Sequence, residues 1–231
     1  MCGRFSLNQT GEELAEAFQL STTPYVEPRF NIAPTQPVAT ITATLDNPEP
    51  QFHLLQWGLI PSWAKDPTIG NRLINARAET VSEKPSFRAA FKRRRCLILA
   101  DGFYEWQRQA NRKTKQPYYF FLIEHQPFAF AGLWEHWTDP NSGGELQTCT
   151  ILTTAPNELM EPIHNRMPVI LSQADYEGWL DPSSYNPGEL ERMLGPYPAA
   201  AMESYAVSTL VNKPQNDVPD CIAPLESAAE A

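Results

Sequence analysis

The sequence predicts an α+β fold, a strongly curved, barrel-like and mainly antiparallel β-sheet core with short flanking helices, and three observations carry that expectation. Seven runs rich in β-branched and aromatic residues recur along the 231 residues, separated by Pro, Gly, Asn or Asp turns. The helical patterns are too short and too irregularly placed for βαβ units. Twenty-two prolines against 11 glycines require many stiff, irregular connections, without the glycine period of a fibrous chain. With 42% apolar and 11% aromatic residues, the chain is long enough and apolar enough to bury a sizeable core.

The elements follow in order. Thr10 with Glu13 three residues later forms a capping-box pattern, and Leu14, Ala17 and Phe18 repeat at helical spacing, which predicts a helix over residues 10–20. Residues 24–37 (PYVEPRFNIAPTQP) cannot sustain a helix and read as an ordered surface loop. Strands are expected over residues 38–45, 53–60, 95–107, 118–123, 128–137, 147–154 and 204–209. Helices are expected over 86–94, 157–163, 172–180, with Ser172 and Asp175 as its cap, and 188–194. There is no repeat and no linker, so residues 1–231 read as one domain with a flexible tail over about 218–231.

Composition also limits function. The longest apolar stretches fall far short of the roughly 20 residues that span a bilayer. The N-terminal MCGRFSLNQTGEE has polar and acidic residues where a signal peptide carries its apolar region, so a cytoplasmic protein with no membrane partner is expected. Cys2, Cys96, Cys149 and Cys221 lie far apart with no CxxC, which indicates neither a zinc site nor a disulfide framework, and no metal or cofactor is expected. The formal net charge of −9 argues against a nucleic-acid partner at first sight. Yet residues 61–120 carry 13 Lys or Arg against 5 Asp or Glu, whereas the rest of the chain carries 5 against 22. Lys84, Arg88, Lys92, Arg93, Arg94 and Arg95, followed by Arg108, Arg112, Lys113 and Lys115, describe either a basic face on an acidic body or solvated helix and turn charges.

Met1-Cys2 is the sharpest local feature. Removal of Met1 leaves a 1,2-aminothiol, an amine of pKa about 7.7–8.0 beside a thiol near about 8.5. Against an amide carbonyl the thiolate is the nucleophile and the amine its base. Against an aldehyde the amine condenses first, and the thiol then closes a five-membered thiazolidine on the imine carbon. The plain alternative is an ordinary second residue. In NRLINARAET, Asn75 and Arg77 stand two apart, which in an extended segment puts an amide and a guanidinium on one face. In ADGFYEWQ, Glu105 lies between Tyr104 and Trp106 and is either a carboxyl among aromatics, suited to proton transfer, or a solvent-facing residue of an alternating strand. His164, in PIHNRMPVIL, is the best placed of the four histidines for proton transfer, with a structural role as its alternative. Of the six tryptophans, Trp63 in the loop IPSWAKDP is the one expected to be exposed, as a stacking platform for single-stranded bases.

MCGRF, FNIAPTQ, QWGLIPSWA, INARAET, ADGFYEW, IHNRMPVIL and VSTLVNKPQND occur together and in this order. The chain resembles the SOS response-associated peptidase (SRAP) family from Met1 to about Asp217. The resemblance implies the fold of that family and an abasic-site processing protein that binds single-stranded DNA. It also implies a covalent thiazolidine crosslink between Cys2 and the ring-opened abasic-site aldehyde. It carries Cys2, Asn75, Glu105 and His164 into catalytic roles and Arg4, Arg77 and Arg166 towards phosphates, and it places Asn31, Pro34 and Trp63 along the DNA channel. The partner it implies is single-stranded DNA containing abasic sites, with removal of Met1 by the protein itself and lyase chemistry as side activities; a monomer is expected. An N-terminal nucleophile glutamine amidotransferase, a thiol peptidase pairing Cys2 with His164, and a non-catalytic single-strand binding module are the alternatives.

Overall fold

Twelve strands and four short α-helices are seen in the computed structural model, which describes residues 2–109 and 114–225. In chain order they are β1 (Phe5–Leu7), α1 (Gly11–Ala17), β2 (Arg29–Ile32), β3 (Pro37–Thr42), β4 (Gln51–Trp57), β5 (Asn75–Arg77), α2 (Arg88–Arg93), β6 (Arg95–Ala100), β7 (Gly102–Gln107) and β8 (Gln116–Leu122). They continue with β9 (Phe128–Thr138), β10 (Glu145–Thr154), β11 (Met167–Pro168), α3 (Tyr176–Leu180), α4 (Pro187–Arg192) and β12 (Met202–Ala206). Strands β10, β4, β3, β6 and β9 pair in that order and β9 returns to β10, so five strands close a barrel. Its β10–β4 pair is parallel and the others are antiparallel. A second, open sheet runs β12-β8-β7-β1-β2 and is antiparallel throughout. The α+β expectation holds, with the barrel fully closed.

The two sheets share one apolar core. Phe5 of β1 meets Trp57 edge-on at 5.2 Å and Phe130 at 5.7 Å, and Phe103 of β7 meets Phe130 at 6.0 Å. Each such aromatic pair adds about 0.5–1.5 kcal/mol beyond the area it buries. These contacts fix the N-terminal strand against the barrel wall, which is what places Cys2.

The expected strand over 95–107 is two strands in different sheets, broken at Asp101. The Asp101 side chain is buried and accepts from the Ser6 hydroxyl (2.6 Å) and the Asn8 N–H, tying the break to β1. At Gly102 a Cβ would lie 2.1 Å from the Tyr119 ring, so only glycine admits the tyrosine whose hydroxyl meets Ser6 at 2.9 Å. Helix α1 carries the expected capping box, with Thr10 Oγ1 accepting from the Glu13 N–H (3.2 Å) and the Glu13 carboxylate accepting from the Thr10 N–H (2.7 Å). It ends at Ala17, short of residue 20.

Elsewhere tertiary partners decide. The expected loop over 24–37 contains β2, because β1 pairs with it and Asp217 accepts from the Phe30 and Asn31 N–H groups. The expected helix over 157–163 is a series of turns in which Asn157 caps the Met160 N–H at 3.0 Å. Of the stretch expected as a tail, Pro219–Cys221 form a short 3-10 turn with Cys221 buried, and the Leu225 N–H donates to Ala206 O at 2.8 Å. Residues 226–231, and Arg112 and Lys113 of the basic run, lie outside the described residues. No helix among the described residues is long and apolar enough to cross a membrane.

The basic run is not a continuous face. Lys84, Arg88, Lys92, Arg93, Arg108 and Lys115 are exposed, but Arg94 pairs with Glu135 at 2.8 Å and Arg95 is buried. The Arg95 guanidinium donates to the carbonyls of Phe91 (3.0 Å), Lys92 (2.8 Å), Trp179 (2.6 Å), Asp181 and Ser184 (3.0 Å). It thereby satisfies the last turn of α2 and the loop after α3. Arg95→Met leaves those buried carbonyls without donors, and the expected loss of stability is about 3–5 kcal/mol, measured by urea unfolding. Arg93→Met, at an exposed site, is expected to change it by less than about 0.5 kcal/mol.

Candidate active site at the N-terminal cysteine

Four chain segments converge where the N-terminal end of β1 leaves the core. The β1–β7 ladder pairs Phe5 with Phe103 and Ser6 with Gly102, and the Tyr104 N–H donates to Arg4 O at 3.0 Å. Continuing that antiparallel register brings Cys2 and Gly3 alongside Glu105. Strand β5 lies parallel to β10, with Asn75 beside Ile151 and Arg77 beside Thr153, and the excursion from β10 to β11 carries His164 and Arg166.

Asn75 and Arg77 do lie on one face of an extended segment, with Ala76 buried between them. The Asn75 amide Nδ2 donates to Cys2 O at 2.8 Å, and its Oδ1 is buried with no partner among the described residues. Asn75 therefore pins the backbone carbonyl of Cys2 and keeps a buried acceptor beside it. Of the two readings of Glu105, the buried one holds: it is 3% exposed, while Tyr104 is fully buried and Trp106 half-buried. His164 Nε2 lies 3.9 Å from Glu105 Oε2. Its Nδ1 lies 3.1 Å from both the backbone nitrogen and the carbonyl oxygen of Arg166, so the ring is held against the Arg166 backbone with Nε2 turned to the carboxylate.

The Cys2 side chain is fully buried with its thiol 3.8 Å from Arg4 O. Burial first, and the neighbouring Glu105 carboxylate second, push its pKa up to about 12. At neutral pH the sulfur is a protonated thiol that needs a proton acceptor within the site before it attacks. A thiol, an amide, a carboxylate and an imidazole in hydrogen-bonding or electrostatic reach can together bind a carbonyl compound, move protons at it and trap it. Among the described residues no group of three His, Cys, Asp or Glu is placed to hold a metal.

The residues expected at phosphates and along the channel are placed differently from one another. Arg77 is exposed beside the site. Arg4 is half-buried and donates through Nη1 to Asn31 Oδ1 (2.8 Å) and Val211 O (2.6 Å), with its guanidinium 5.8 Å from the Trp106 ring centre. Asn31 is fully buried, and its Nδ2 lies within 2.6–3.2 Å of the carbonyls of Val211, Lys213 and Asn216. It clamps the segment after β12 and presents no surface to a ligand. Pro34 is half-buried at a turn closed by the Gln36 N–H on Ala33 O at 3.3 Å. Trp63 is 59% exposed, as expected, and shares a shallow groove with Lys65, Ile69 and Arg72. The base of its loop is set by Gly58 (φ +127°), where a Cβ would lie 2.8 Å from Gly70 O. Arg166 is paired with Glu79, a residue to which the sequence reading gave no role although it stands in INARAET.

Three comparisons show what the chain is similar to. The family described as "SOS response associated peptidase (SRAP)" matches residues 1–214. The chain is 49% identical over 225 residues to the abasic site processing protein YoqW of Bacillus subtilis, covering 96% of this chain and 99% of that one. It is 34% identical over 200 residues to the abasic site processing protein HMCES of Xenopus tropicalis, covering 77% of this chain and 58% of that one. A crystal structure of a Bacteroides thetaiotaomicron protein superimposes with a TM-score of 0.86 at 29% identity, covering 97% of this chain and all of that one.

Proposed function

Because the chain belongs to the SOS response associated peptidase (SRAP) family, we propose that it processes abasic sites in single-stranded DNA by a covalent crosslink through Cys2. The observation that carries the reading is the convergence of Cys2, Asn75, Glu105 and His164 from four separate segments.

The sequence of steps starts with removal of Met1, by the protein itself or by an aminopeptidase, which frees the Cys2 α-amine. Glu105 and His164 move the proton that opens the deoxyribose hemiacetal to its aldehyde. The amine lone pair adds to the C1′ carbonyl carbon, the oxygen takes up a proton, and water leaves to give the imine. The Cys2 sulfur then adds to the imine carbon as its proton passes to the imine nitrogen, closing the thiazolidine. The sum is protein plus DNA minus one water, with no oxidant or reductant. Asn75 holds the Cys2 carbonyl, so the amine and thiol keep one orientation through both additions. Such a bond shields the lesion from cleavage; in the lyase side reaction a base removes the C2′ proton of the imine, a C2′–C3′ double bond forms and the 3′ phosphate ester leaves.

A single-stranded oligonucleotide with one abasic site is expected to give a heat-stable band of added mass on a denaturing gel, and the same oligonucleotide without the lesion is expected to give none. Reversible binding to undamaged single strands is expected to weaken with salt by about 0.7 log units per phosphate contact per decade. Arg77→Ala is expected to reduce that slope by about one contact. Ammonia release from glutamine with no DNA adduct would turn the assignment to an amidotransferase.

A further inference from the structure

Glu79 has no place in the steps above, yet it makes the most complete side-chain contact at the edge of the site. Its carboxylate accepts from Arg166 Nη1 at 2.5 Å and from Nη2 at 2.9 Å. The two partners come from opposite sides of β10. Glu79 stands two residues after Arg77, the residue of β5 that pairs with Thr153, while Arg166 stands immediately before β11, whose Pro168 pairs with the other edge of Thr153. The guanidinium crosses over this strand and donates through Nη2 to Thr153 O at 2.6 Å.

At its other end, Arg166 supplies the backbone N–H that lies 3.1 Å from His164 Nδ1. A single chain of contacts thus runs from the strand carrying Asn75, through Glu79 and Arg166, to the His164 ring nitrogen that rests on the Arg166 backbone. Arg166 Nε is buried without a partner among the described residues, so the side chain has no other strong tether than Glu79 and Thr153. The Arg166 hydrogen bonds hold the Glu79 carboxyl below the usual carboxylate range, so the pair persists at neutral pH.

We propose that Glu79 is a positioning residue of this site: its two-point pair with Arg166 fixes the His164 segment against the strand that bears Asn75, and Glu79 acts on crosslinking through His164. The proposal rests on the crosslinking reading above. It differs from the expectation that Arg166 serves only as a phosphate clamp, because both terminal nitrogens are already committed to Glu79.

The test is single-turnover crosslinking of the full chain to a single-stranded abasic oligonucleotide, over a range of protein concentrations, for wild type, Glu79→Gln, His164→Ala and the double variant. Glu79→Gln is expected to lower the maximal rate about 10–100-fold, while the half-saturating concentration stays within about threefold. In the His164→Ala background the same change is expected to cost less than about twofold, since the group it positions is gone. The melting temperature is expected to stay unchanged, because a half-exposed ion pair contributes little to global stability. Full additivity of the two substitutions would overturn the proposal. So would tighter binding with an unchanged maximal rate, which would make Glu79 a shield of Arg166 against phosphate. A wild-type protein that forms no adduct would overturn the crosslinking reading itself, and the proposal with it.

Discussion

Cys2→Ala is expected to abolish the heat-stable adduct completely while leaving an imine that borohydride can trap. The two halves of this result separate the two nucleophiles of one residue. Alanine at this position keeps the α-amine once Met1 is gone, so condensation with the aldehyde still proceeds, but no sulfur is present to close the ring. An imine reverts by hydrolysis in water, whereas a closed five-membered thiazolidine is expected to persist through heating in detergent. The trapped yield in Cys2→Ala is expected within about tenfold of wild type, because Asn75 binds the backbone carbonyl of residue 2 and that contact does not depend on the side chain. The wild-type yield is also expected to rise with pH. The thiol is pushed up to about 12 by burial and by Glu105, so the neutral form dominates at pH 7 and each step upward in pH supplies more thiolate. If Cys2→Ala still gave a heat-stable adduct, another nucleophile would be responsible and the assignment of Cys2 would fall.

Glu105→Gln is the second large effect. The side chain is 3% exposed and the nearest described imidazole is His164 at 3.9 Å, in surroundings where water cannot easily replace a proton carrier. Glutamine keeps the shape and removes the capacity to accept or release a proton. The crosslinking rate is expected to fall about 10²–10⁴-fold, the range for loss of a positioned general acid or base. Binding to an undamaged single strand is expected to stay within about threefold, since Glu105 is buried beside Cys2 and offers almost no surface to a strand. Comparable losses of binding and rate would mean that the substitution disturbs β7 rather than the chemistry. Circular dichroism and the melting temperature of the variant distinguish these outcomes.

Much of the barrel was legible because its strands are long enough to show periodicity. Runs overlapping β3, β4, β6, β9 and β10 were all predicted, and the capping box of α1 was read from Thr10 and Glu13 alone. What escaped were elements that exist only through their partners. Strand β2 lies in a proline-rich segment and is held by β1 and by Asp217, nearly 190 positions away. Strands β5 and β11 span three and two residues, below the length at which alternation can be seen. The break at Asp101 depends on Ser6, Asn8 and Tyr119, none of which is local.

The site divides along the same line. Cys2, Asn75, Glu105 and His164 were marked by their residue types and neighbours, and the fold brings them together. Asn31, Arg4 and Arg95 show the opposite case, since a polar or basic letter in the sequence does not reveal that its donors are spent on buried carbonyls. Glu79 was visible as an acidic residue two positions after Arg77, but its partner Arg166 and the carbonyl of Thr153 become neighbours only when β5, β10 and β11 assemble.

A covalent bond at Cys2 shows itself in the intact mass of the protein before and after incubation with a single-stranded oligonucleotide bearing one abasic site. The expected result is free protein that lacks Met1 and an adduct equal to that protein plus the oligonucleotide minus one water, with peptide fragmentation placing the added mass on Cys2. Free protein that lacks Met1 but gives no adduct, or an adduct mapped to any other residue, would contradict it.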